Sequence, residues 1–333
     1  MLKNSTKMIA MTTTIMSTIM AISSENWINL WLSLEINMIS FLVMLKEKNK
    51  SSSKSMMTYF LIQSMSSIVF IFSIMMNPMI MISENQMSKI IYMMMMTSMM
   101  MKMGAAPLHM WFTWMMTKLS WLNCLMISTW QKIIPLFILS NMNNNFMMNM
   151  FLMTSIMVGA IGGINQTSLK KIIAFSSINH MGWMFMGMKF SNEMWIKYLI
   201  IYTMMIMMIM FFFSKKKINF INQMNMQMKT KMEKITMIMM MLSLGGMPPM
   251  IGFMPKWMII NLMIDKTTIM MSMIMIMMSM ITLFYYVRIM SIMMMEFYTK
   301  NKWNMEEKNY FKMEILLIMT NVNLPLIMMI NLS

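Results

Sequence analysis

The sequence has little of what metal and redox centres are built from. Its single cysteine, Cys124, excludes an intrachain disulfide and any cysteine-rich zinc or iron–sulfur site. Its two histidines, His109 and His180, argue against a haem or a multi-histidine metal centre. It has neither a GxxxxGK[ST] loop nor a GxGxxG sequence after a strand, so no nucleotide site is visible. We therefore expect no cofactor in this chain, and any associated redox group should belong to another protein.

Charged side chains are also scarce, at 11% of the 333 residues, whereas a soluble domain carries about a quarter. Apolar residues make up 58% of the chain, and the mean hydropathy is +0.60. About eleven apolar stretches of roughly 17–25 residues are each long enough to cross ~30 Å of hydrocarbon. They lie near 8–24, 27–45, 56–77, 90–111, 119–140, 147–165, 172–189, 194–214, 234–261, 267–291 and 312–330. The sequence predicts one all-α, polytopic transmembrane domain over residues 1–333.

The basic residues are distributed unevenly around these spans. With eleven spans, 20 of the 27 lysines and arginines lie on the N-terminal side, 4 lie on the other side, and three lysines lie inside spans. This asymmetry is the positive-inside pattern, and it predicts that the N-terminus is inside and the C-terminus outside. The net charge of +16 therefore indicates membrane topology and no nucleic-acid partner. We interpret the run Lys215–Lys217 as a topology anchor in preference to a ligand site.

Methionine is in large excess, with 72 residues, and lysine outnumbers arginine 26 to 1. Methionine can replace leucine or isoleucine as a flexible apolar side chain, so packing does not require the excess. Residues with A/T-rich codons have displaced those with G/C-rich codons, and a mitochondrial code that reads ATA as methionine would produce this composition. The bias therefore predicts a mitochondrial location, with the inside being the matrix.

Two segments resemble each other and predict interrupted helices. The chain reads KMGAAPLHMWF around Gly104 and SLGGMPPMIGF around Gly245, and we match Pro107 with Pro248. Proline removes a backbone donor and clashes with the preceding turn, so each helix should break. Five spans separate the two segments, so they enter the membrane in opposite directions, which is typical of inverted repeats. We predict two five-helix repeats, near 8–140 and 147–291, and a C-terminal helix near 312–330; two coincidental proline kinks are the alternative.

Four charged side chains lie inside apolar spans: Glu35, Lys102, Lys132 and Lys256. Each costs about 2.5–3.5 kcal/mol on membrane-insertion scales, so function is the default explanation. Desolvation disfavours the ammonium form of lysine, and a buried lysine can therefore gain and lose a proton, whereas arginine stays charged. We predict a proton relay through these four residues. The alternative for Glu35 and Lys102 is a structural ion pair between two helices.

Three further polar residues lie in or near these spans, and two of them, His109 and His180, have two interpretations each. His109 and His180 could relay protons near neutral pH, or they could be hydrogen-bonded core histidines. Arg288 lies near a span end, where we expect its side chain to reach toward the membrane interface.

Several motifs together resemble a known family: WLSLEINMISF around Glu35, KMGAAPLHMWF, QKIIPL, GGINQTSLKKIIAFSSINHMGWM and LSLGGMPPMIGFMPKW. They are similar to the chain 2 family of NADH–ubiquinone oxidoreductase, mitochondrial complex I. This family belongs to the wider group of antiporter-like subunits, which includes cation/proton antiporter subunits. The motifs run from about residue 27 to residue 290, and the methionine-rich style resembles insect or similar A/T-rich mitochondrial genomes.

The resemblance implies a proton-translocating membrane-arm subunit of the mitochondrial inner membrane. By position, Glu35 matches the family's membrane glutamate, Lys102 the lysine at the first broken helix, Lys132 the linking lysine, and Lys256 the lysine near the second broken helix. The expected partners are other membrane-arm subunits and inner-membrane phospholipids, while FMN, iron–sulfur clusters and quinone are expected in other subunits. A cation/proton antiporter and a non-pumping structural subunit are the alternatives.

The sequence also departs from the family pattern. The stretch Thr113–Lys118 replaces acidic residues that often follow the first broken helix. Lys170 stands where arginine is frequent, and Phe175 stands where tyrosine is frequent. These departures concern loop contacts and not the central lysines.

Overall fold

A computed structural model describes residues 2–47, 50–76, 86–142, 145–228, 230–265 and 269–294. Within these ranges the regular structure is helical, apart from one isolated antiparallel bridge between Ser168 and Phe220. The α-helices are α1 Leu2–Ser23, α2 Trp27–Leu45, α3 Lys50–Met76, α4 Gln86–Met103, α5 Met110–Lys118, α6 Trp121–Ser128, α7 Ile133–Ser140, α8 Asn145–Gly162, α9 Leu169–Phe190, α10 Asn192–Lys216, α11 Ile221–Gln227, α12 Lys231–Gly245, α13 Phe253–Asp265 and α14 Ile269–Met294.

Within the described residues, five helical segments are long and apolar enough to cross a membrane. They are Trp27–Leu45, Ser52–Met76, Trp121–Ser140, Asn192–Lys216 and Ile269–Met294, and each coincides with a predicted span. The all-α, multi-span architecture is therefore confirmed. The total of eleven spans stays a prediction, and the C-terminal helix expected near 312–330 lies outside the described residues.

The chain divides into two compact units, Met1–Val158 and Gly159–Ser333. In the first unit α2 packs against α1 and α3, and α3 packs against α4. In the second unit α9 packs against α10, and α14 packs against α11 and α12. The boundary lies within α8, and the inverted relation of the two predicted repeats stays a prediction.

The first predicted break separates α4 from α5. Gly104 follows α4 with a left-handed φ of 68°, which glycine adopts without the cost that a Cβ would impose. Its N–H donates to the Met101 carbonyl at 3.2 Å, and the N–H of Ala105 donates to the Met100 carbonyl at 3.0 Å. This pair of bonds is the Schellman pattern, which satisfies the last carbonyls of a helix. The segment 104–109 then connects to α5.

The second predicted break, between α12 and α13, has the same ending. Gly246 has a φ of 75°, and its N–H donates to the Ser243 carbonyl at 3.0 Å. The N–H of Met247 donates to the Leu242 carbonyl at 3.2 Å, so the Schellman pattern recurs. Both interruptions predicted from the sequence are therefore present.

The structure aligns the two breaks one residue differently from the alignment predicted from the sequence. In each, the left-handed glycine is followed three residues later by a proline. Gly104 and Pro107 therefore correspond to Gly246 and Pro249, whereas the sequence match paired Pro107 with Pro248. The Gly-Gly and Pro-Pro pairs of the second segment each offer two alignments, and the helix end selects the later one.

A third interruption was not predicted. The span near 119–140 consists of α6, a 3₁₀ turn at Trp130–Lys132, and α7. Pro135 accounts for it, because proline has no N–H and its ring clashes with the carbonyl four residues earlier, that of Gln131. The turn places Lys132 at a helix break. Lys102 and Lys256 also lie beside helix breaks.

Candidate functional site

Lys102 lies in the last turn of α4, directly before the first break, and is 7% exposed. Its ammonium group is 5.9 Å from the centroid of the Phe70 ring on α3. The Nε2 of Gln63 donates to the Lys102 main-chain carbonyl at 3.1 Å, which fixes the end of α4 against α3. The structure therefore holds this amine inside the first unit, away from solvent.

The Lys102 side chain lines a small cavity. The cavity has room for roughly one water molecule, and several polar side chains could bind that water. It is lined by Leu34, Asn37, Met38, Tyr59, Gln63, Lys102, Gln131 and Pro135. These residues come from α2, α3, α4, the 3₁₀ turn and α7, so the cavity joins the elements that carry Glu35, Lys102 and Lys132.

Glu35 lies on α2, half-buried, and forms no direct ion pair with Lys102 within the part of the chain that the structure describes. Its charge nevertheless acts on both Lys102 and Tyr59. The alternative of a direct structural ion pair therefore lacks the required contact. Glu35 therefore acts on Lys102 through space, without a direct bond.

The position of Glu35 on α2 also makes it accessible from outside the chain. Ile28, Leu32, Ile39 and Val43 recur at helical spacing and form an exposed apolar face of α2. Glu35 lies between Leu32 and Ile39 on this face. A carboxylate at such a position is costly against lipid alone.

Lys132 ends the 3₁₀ turn and is 2% exposed. Its ammonium group is 5.2 Å from the centroid of the Phe112 ring on α5, a cation–π distance. α5, the second half of the first interrupted span, therefore contacts Lys132.

Lys256 lies in the first turn of α13, directly after the second break, and is 4% exposed. Its Nζ donates to the Gly245 carbonyl at 2.8 Å, at the C-terminal end of α12. It also lies 5.9 Å from the centroid of the Trp183 ring on α9. Because a helix C-terminus carries partial negative charge, this position favours the ammonium form, while burial disfavours it.

The glycine after α12 makes room for this amine. A Cβ on Gly246 would lie 2.9 Å from the Nζ of Lys256. The second break thus supplies both the free carbonyl and the space that Lys256 needs.

His109 precedes α5, and its side chain turns back toward the first break. Its Nδ1 is 3.2 Å from the Pro107 carbonyl, and its own main-chain carbonyl accepts from the N–H groups of Phe112 and Thr113. These contacts fit the hydrogen-bonded core histidine, and a role in proton relay stays a prediction.

His180 lies on α9 in the second unit and is buried. Its Nδ1 is 2.7 Å from the hydroxyl of Tyr198, and its ring centroid is 5.0 Å from that of Tyr202, both on α10. The histidine therefore belongs to a buried polar cluster.

This cluster extends to α14 and was missed in the sequence. Tyr286 lies near enough to Tyr198 and Tyr202 to act on both electrostatically, and its ring centroid is 4.7 Å from that of Tyr285. The ring of Tyr286 would contact a Cβ on Gly245 at 3.5 Å. The cluster therefore approaches the carbonyl that binds Lys256. The adjacent tyrosines of YYVRI were the available signal, but nothing in the sequence indicated that both point inward.

The guanidinium group of Arg288 binds the segment between α8 and α9, and its expected reach toward the membrane interface stays a prediction. Its guanidinium donates to the main-chain carbonyls of Ile164 and, at 2.8 Å, Gln166. Both carbonyls belong to the segment between α8 and α9. Five donors in a planar fork allow arginine to bind both at once.

With this geometry established, comparison with known proteins identifies the family. Residues 24–282 match the family described as "NADH:quinone oxidoreductase/Mrp antiporter, TM". The chain belongs to this family. Among its relatives is NADH-ubiquinone oxidoreductase chain 2 of Locusta migratoria. The two sequences are 39% identical over 306 residues, which cover 91% of this chain and 90% of the relative. The same protein of Lemur catta is 34% identical over 337 residues, covering 96% of each. The resemblance to the chain 2 family is thereby confirmed.

Solved structures share the antiporter-like fold at low sequence identity. A chain of respiratory complex I from Thermus thermophilus with bound Aureothin has a TM-score of 0.82 and 15% identity, covering 95% of this chain and 76% of that one. A chain of the Mrp complex from Dietzia sp. DQ12-45-1b has a TM-score of 0.75 and 13% identity, covering 83% and 58%. Within the described residues, no group of three or more histidine, cysteine, aspartate or glutamate side chains could hold a metal ion.

Proposed function

We propose that the chain is a proton-translocating membrane-arm subunit of complex I, the NADH:ubiquinone oxidoreductase of the mitochondrial inner membrane. The observation that carries this proposal is the placement of three buried lysines, Lys102, Lys132 and Lys256, each beside an interruption in a membrane helix. Electron transfer takes place in other subunits, which hold FMN, the iron–sulfur clusters and quinone. This chain contributes to the enzyme by moving protons.

The surroundings of each lysine support reversible protonation. Burial disfavours the ammonium form, whereas an aromatic ring near each amine and, at Lys256, the carbonyl at the end of α12 favour it. At Lys256 the opposing contributions are the hydrocarbon surroundings and the Gly245 carbonyl. A lysine in such a balance changes its proton affinity when a neighbouring charge moves.

The relay begins at Glu35 and is controlled from outside the chain. A neighbouring subunit docks on the exposed face of α2 and alters the interaction between Glu35 and Lys102. Lys102 then passes its proton toward Lys132 and on to Lys256, which releases it to the outside. His109 and His180 are possible additional carriers.

The proposed architecture places this relay in two inverted five-helix repeats, near 8–140 and 147–291. The shared Schellman endings after Gly104 and Gly246 support the repeat. The distribution of lysines supports a matrix N-terminus and an intermembrane-space C-terminus. Inner-membrane phospholipids cover the apolar faces that other subunits leave free.

The variant Lys102→Met tests the proposal in complex I reconstituted into proteoliposomes. We expect the variant complex to assemble and oxidise NADH but to pump fewer protons per electron, because methionine fills the space without carrying a proton. Lys118→Met is the matched control, since Lys118 is exposed at the end of α5, over the Trp114 ring. Normal proton stoichiometry in Lys102→Met would contradict the relay.

A cation/proton antiporter is the second candidate function. The fold shared with a chain of the Mrp complex from Dietzia favours it. The two functions differ in whether a sodium or potassium ion moves in exchange for the proton.

A further inference from the structure

Two amide side chains fasten α2 to the 3₁₀ turn. The Nδ2 of Asn37 donates to the Oε1 of Gln131 at 3.0 Å, and the Nε2 of Gln131 donates to the Oδ1 of Asn37 at 3.1 Å. The Tyr59 hydroxyl, on α3, donates to the same Oε1 at 3.4 Å. The reciprocal pair uses the donor and the acceptor of both amides, so its geometry is fixed in both directions.

The pair lies between two members of the proposed relay. Asn37 follows Glu35 by two residues on α2, and Gln131 directly precedes Lys132 in the turn. A shift of α2 that changes the position of Glu35 is therefore transmitted through the amides to the backbone that carries Lys132.

The turn is the element in this span best able to respond. Its three residues leave the α-helical pattern, and Thr129 before it has φ −120° and ψ −71°, outside the helical region. A 3₁₀ stretch in the middle of a helix often marks a functional hinge. The first unit therefore connects a rigid helix, α2, to an irregular turn through one amide pair.

The same amides shape the surroundings of Lys102. Asn37 and Gln131 both line the cavity into which the Lys102 side chain opens. A movement of the pair changes the cavity and the polar groups available to a water beside the Lys102 amine. One displacement therefore reaches both lysines of the first unit.

We infer that the Asn37–Gln131 pair is a positioning device that couples displacement of α2 to the turn holding Lys132, an inference that rests on the proposed proton-relay function. Satisfying one buried and one half-buried amide would explain the hydrogen bonds alone. Hydrogen-bond satisfaction alone would not require that Asn37 be near Glu35 in sequence and Gln131 next to Lys132. Nor would it require that both amides line the Lys102 cavity. If the pair has this role, it is needed to couple displacement of α2 to proton pumping, and it is not needed for assembly of the complex.

The test uses Asn37→Leu, Gln131→Met and the double variant in reconstituted complex I, with protons pumped per electron as the readout. We expect each single variant to lower this ratio while NADH oxidation and assembly are retained. The double variant should lose no more than the worse single variant, because both changes break one interaction. The double variant also leaves no amide without a partner. It can therefore be measured even if a single variant fails to assemble.

Two further variants distinguish a positioning role of the amide pair from a role in packing alone. Asn37→Gln combined with Gln131→Asn restores the amide pair and should recover part of the lost pumping. Ser40→Ala removes a buried hydroxyl on α2 whose hydrogen bond goes to the Asn37 carbonyl within the same helix, and it should leave the ratio unchanged. Unchanged pumping in both single variants, or additive losses in the double variant, would overturn the inference.

Lys132→Met, measured in parallel, distinguishes the two possible failures. If Lys132→Met lowers pumping while the amide variants do not, only the positioning role is wrong. If Lys132→Met pumps normally, the proposed relay itself is wrong at this step.

Discussion

At the scale of single residues, the buried lysines are held between opposing effects of similar size. Placing a charge in hydrocarbon costs about 2.5–3.5 kcal/mol, and a hydrogen bond that involves a charged group returns roughly 1.5–3 kcal/mol. At Lys256 the Gly245 carbonyl provides such a bond, and the Trp183 ring adds a cation–π contact. Neither protonation state is then strongly excluded. Arginine would remain charged at the same place, which explains why lysine suits it.

The contact between His180 and Tyr198 gives a prediction at this scale. Tyr198→Phe removes the hydroxyl 2.7 Å from Nδ1 and keeps the ring that packs in the core. If His180 carries protons, the loss of its partner should slow proton pumping while the complex assembles normally. Proton release by the reconstituted variant measures this. The control is Tyr92→Phe, which changes an exposed tyrosine on α4; equal pumping in the two variants would leave His180 a structural residue.

At the scale of elements, the helix interruptions place the lysines. A continuous helix bonds its own carbonyls, so it has none to offer a side chain in mid-membrane. The break after α12 leaves the Gly245 carbonyl available, and the left-handed conformation of Gly246 turns the chain away from it. The site at Lys256 is therefore a consequence of how its helix ends.

Gly246→Ala tests this dependence. The left-handed φ costs an alanine about 1–2 kcal/mol, and its Cβ would lie 2.9 Å from the Lys256 amine. We expect a modest loss of thermal stability and a larger loss of protons pumped per electron, since the amine is pushed off its carbonyl. Gly245→Ala is the matched control, because a Cβ there makes only ordinary contacts, at 3.5 Å or more. Equal effects of the two variants would contradict the argument.

Local signals predicted some of these elements and could not predict others. Hydropathy located the charged residues, and Pro107 indicated a break because proline acts on its own helix. Pro135 carried the same signal, yet the apolar run around it favoured one continuous span. The Asn37–Gln131 pair and the tyrosines around His180 depend on contacts between helices distant in sequence. Periodicity within one helix contains no information about such contacts.

At the scale of the whole molecule, the fold alone does not select between a complex I subunit and an antiporter. Chains of both kinds of assembly superpose on this one, with TM-scores of 0.82 and 0.75. The curated relatives separate them, because the Locusta and Lemur proteins are chain 2 over nearly the full length of each. The proposed relay adds a second argument, because apart from the Glu35 carboxylate its side chains are amines and imidazoles, which bind protons.

Ion dependence therefore provides the prediction at this scale. Proteoliposomes containing the complete complex I are energised with NADH in buffers that contain sodium, potassium or only a large impermeant cation. We expect the same number of protons per electron in all three, because lysine amines exchange protons and offer no oxygen ligands to a metal cation. Lys102→Met should lower the ratio equally in each buffer. A strict requirement for sodium or potassium, abolished by Lys102→Met, would instead identify cation/proton exchange through this chain.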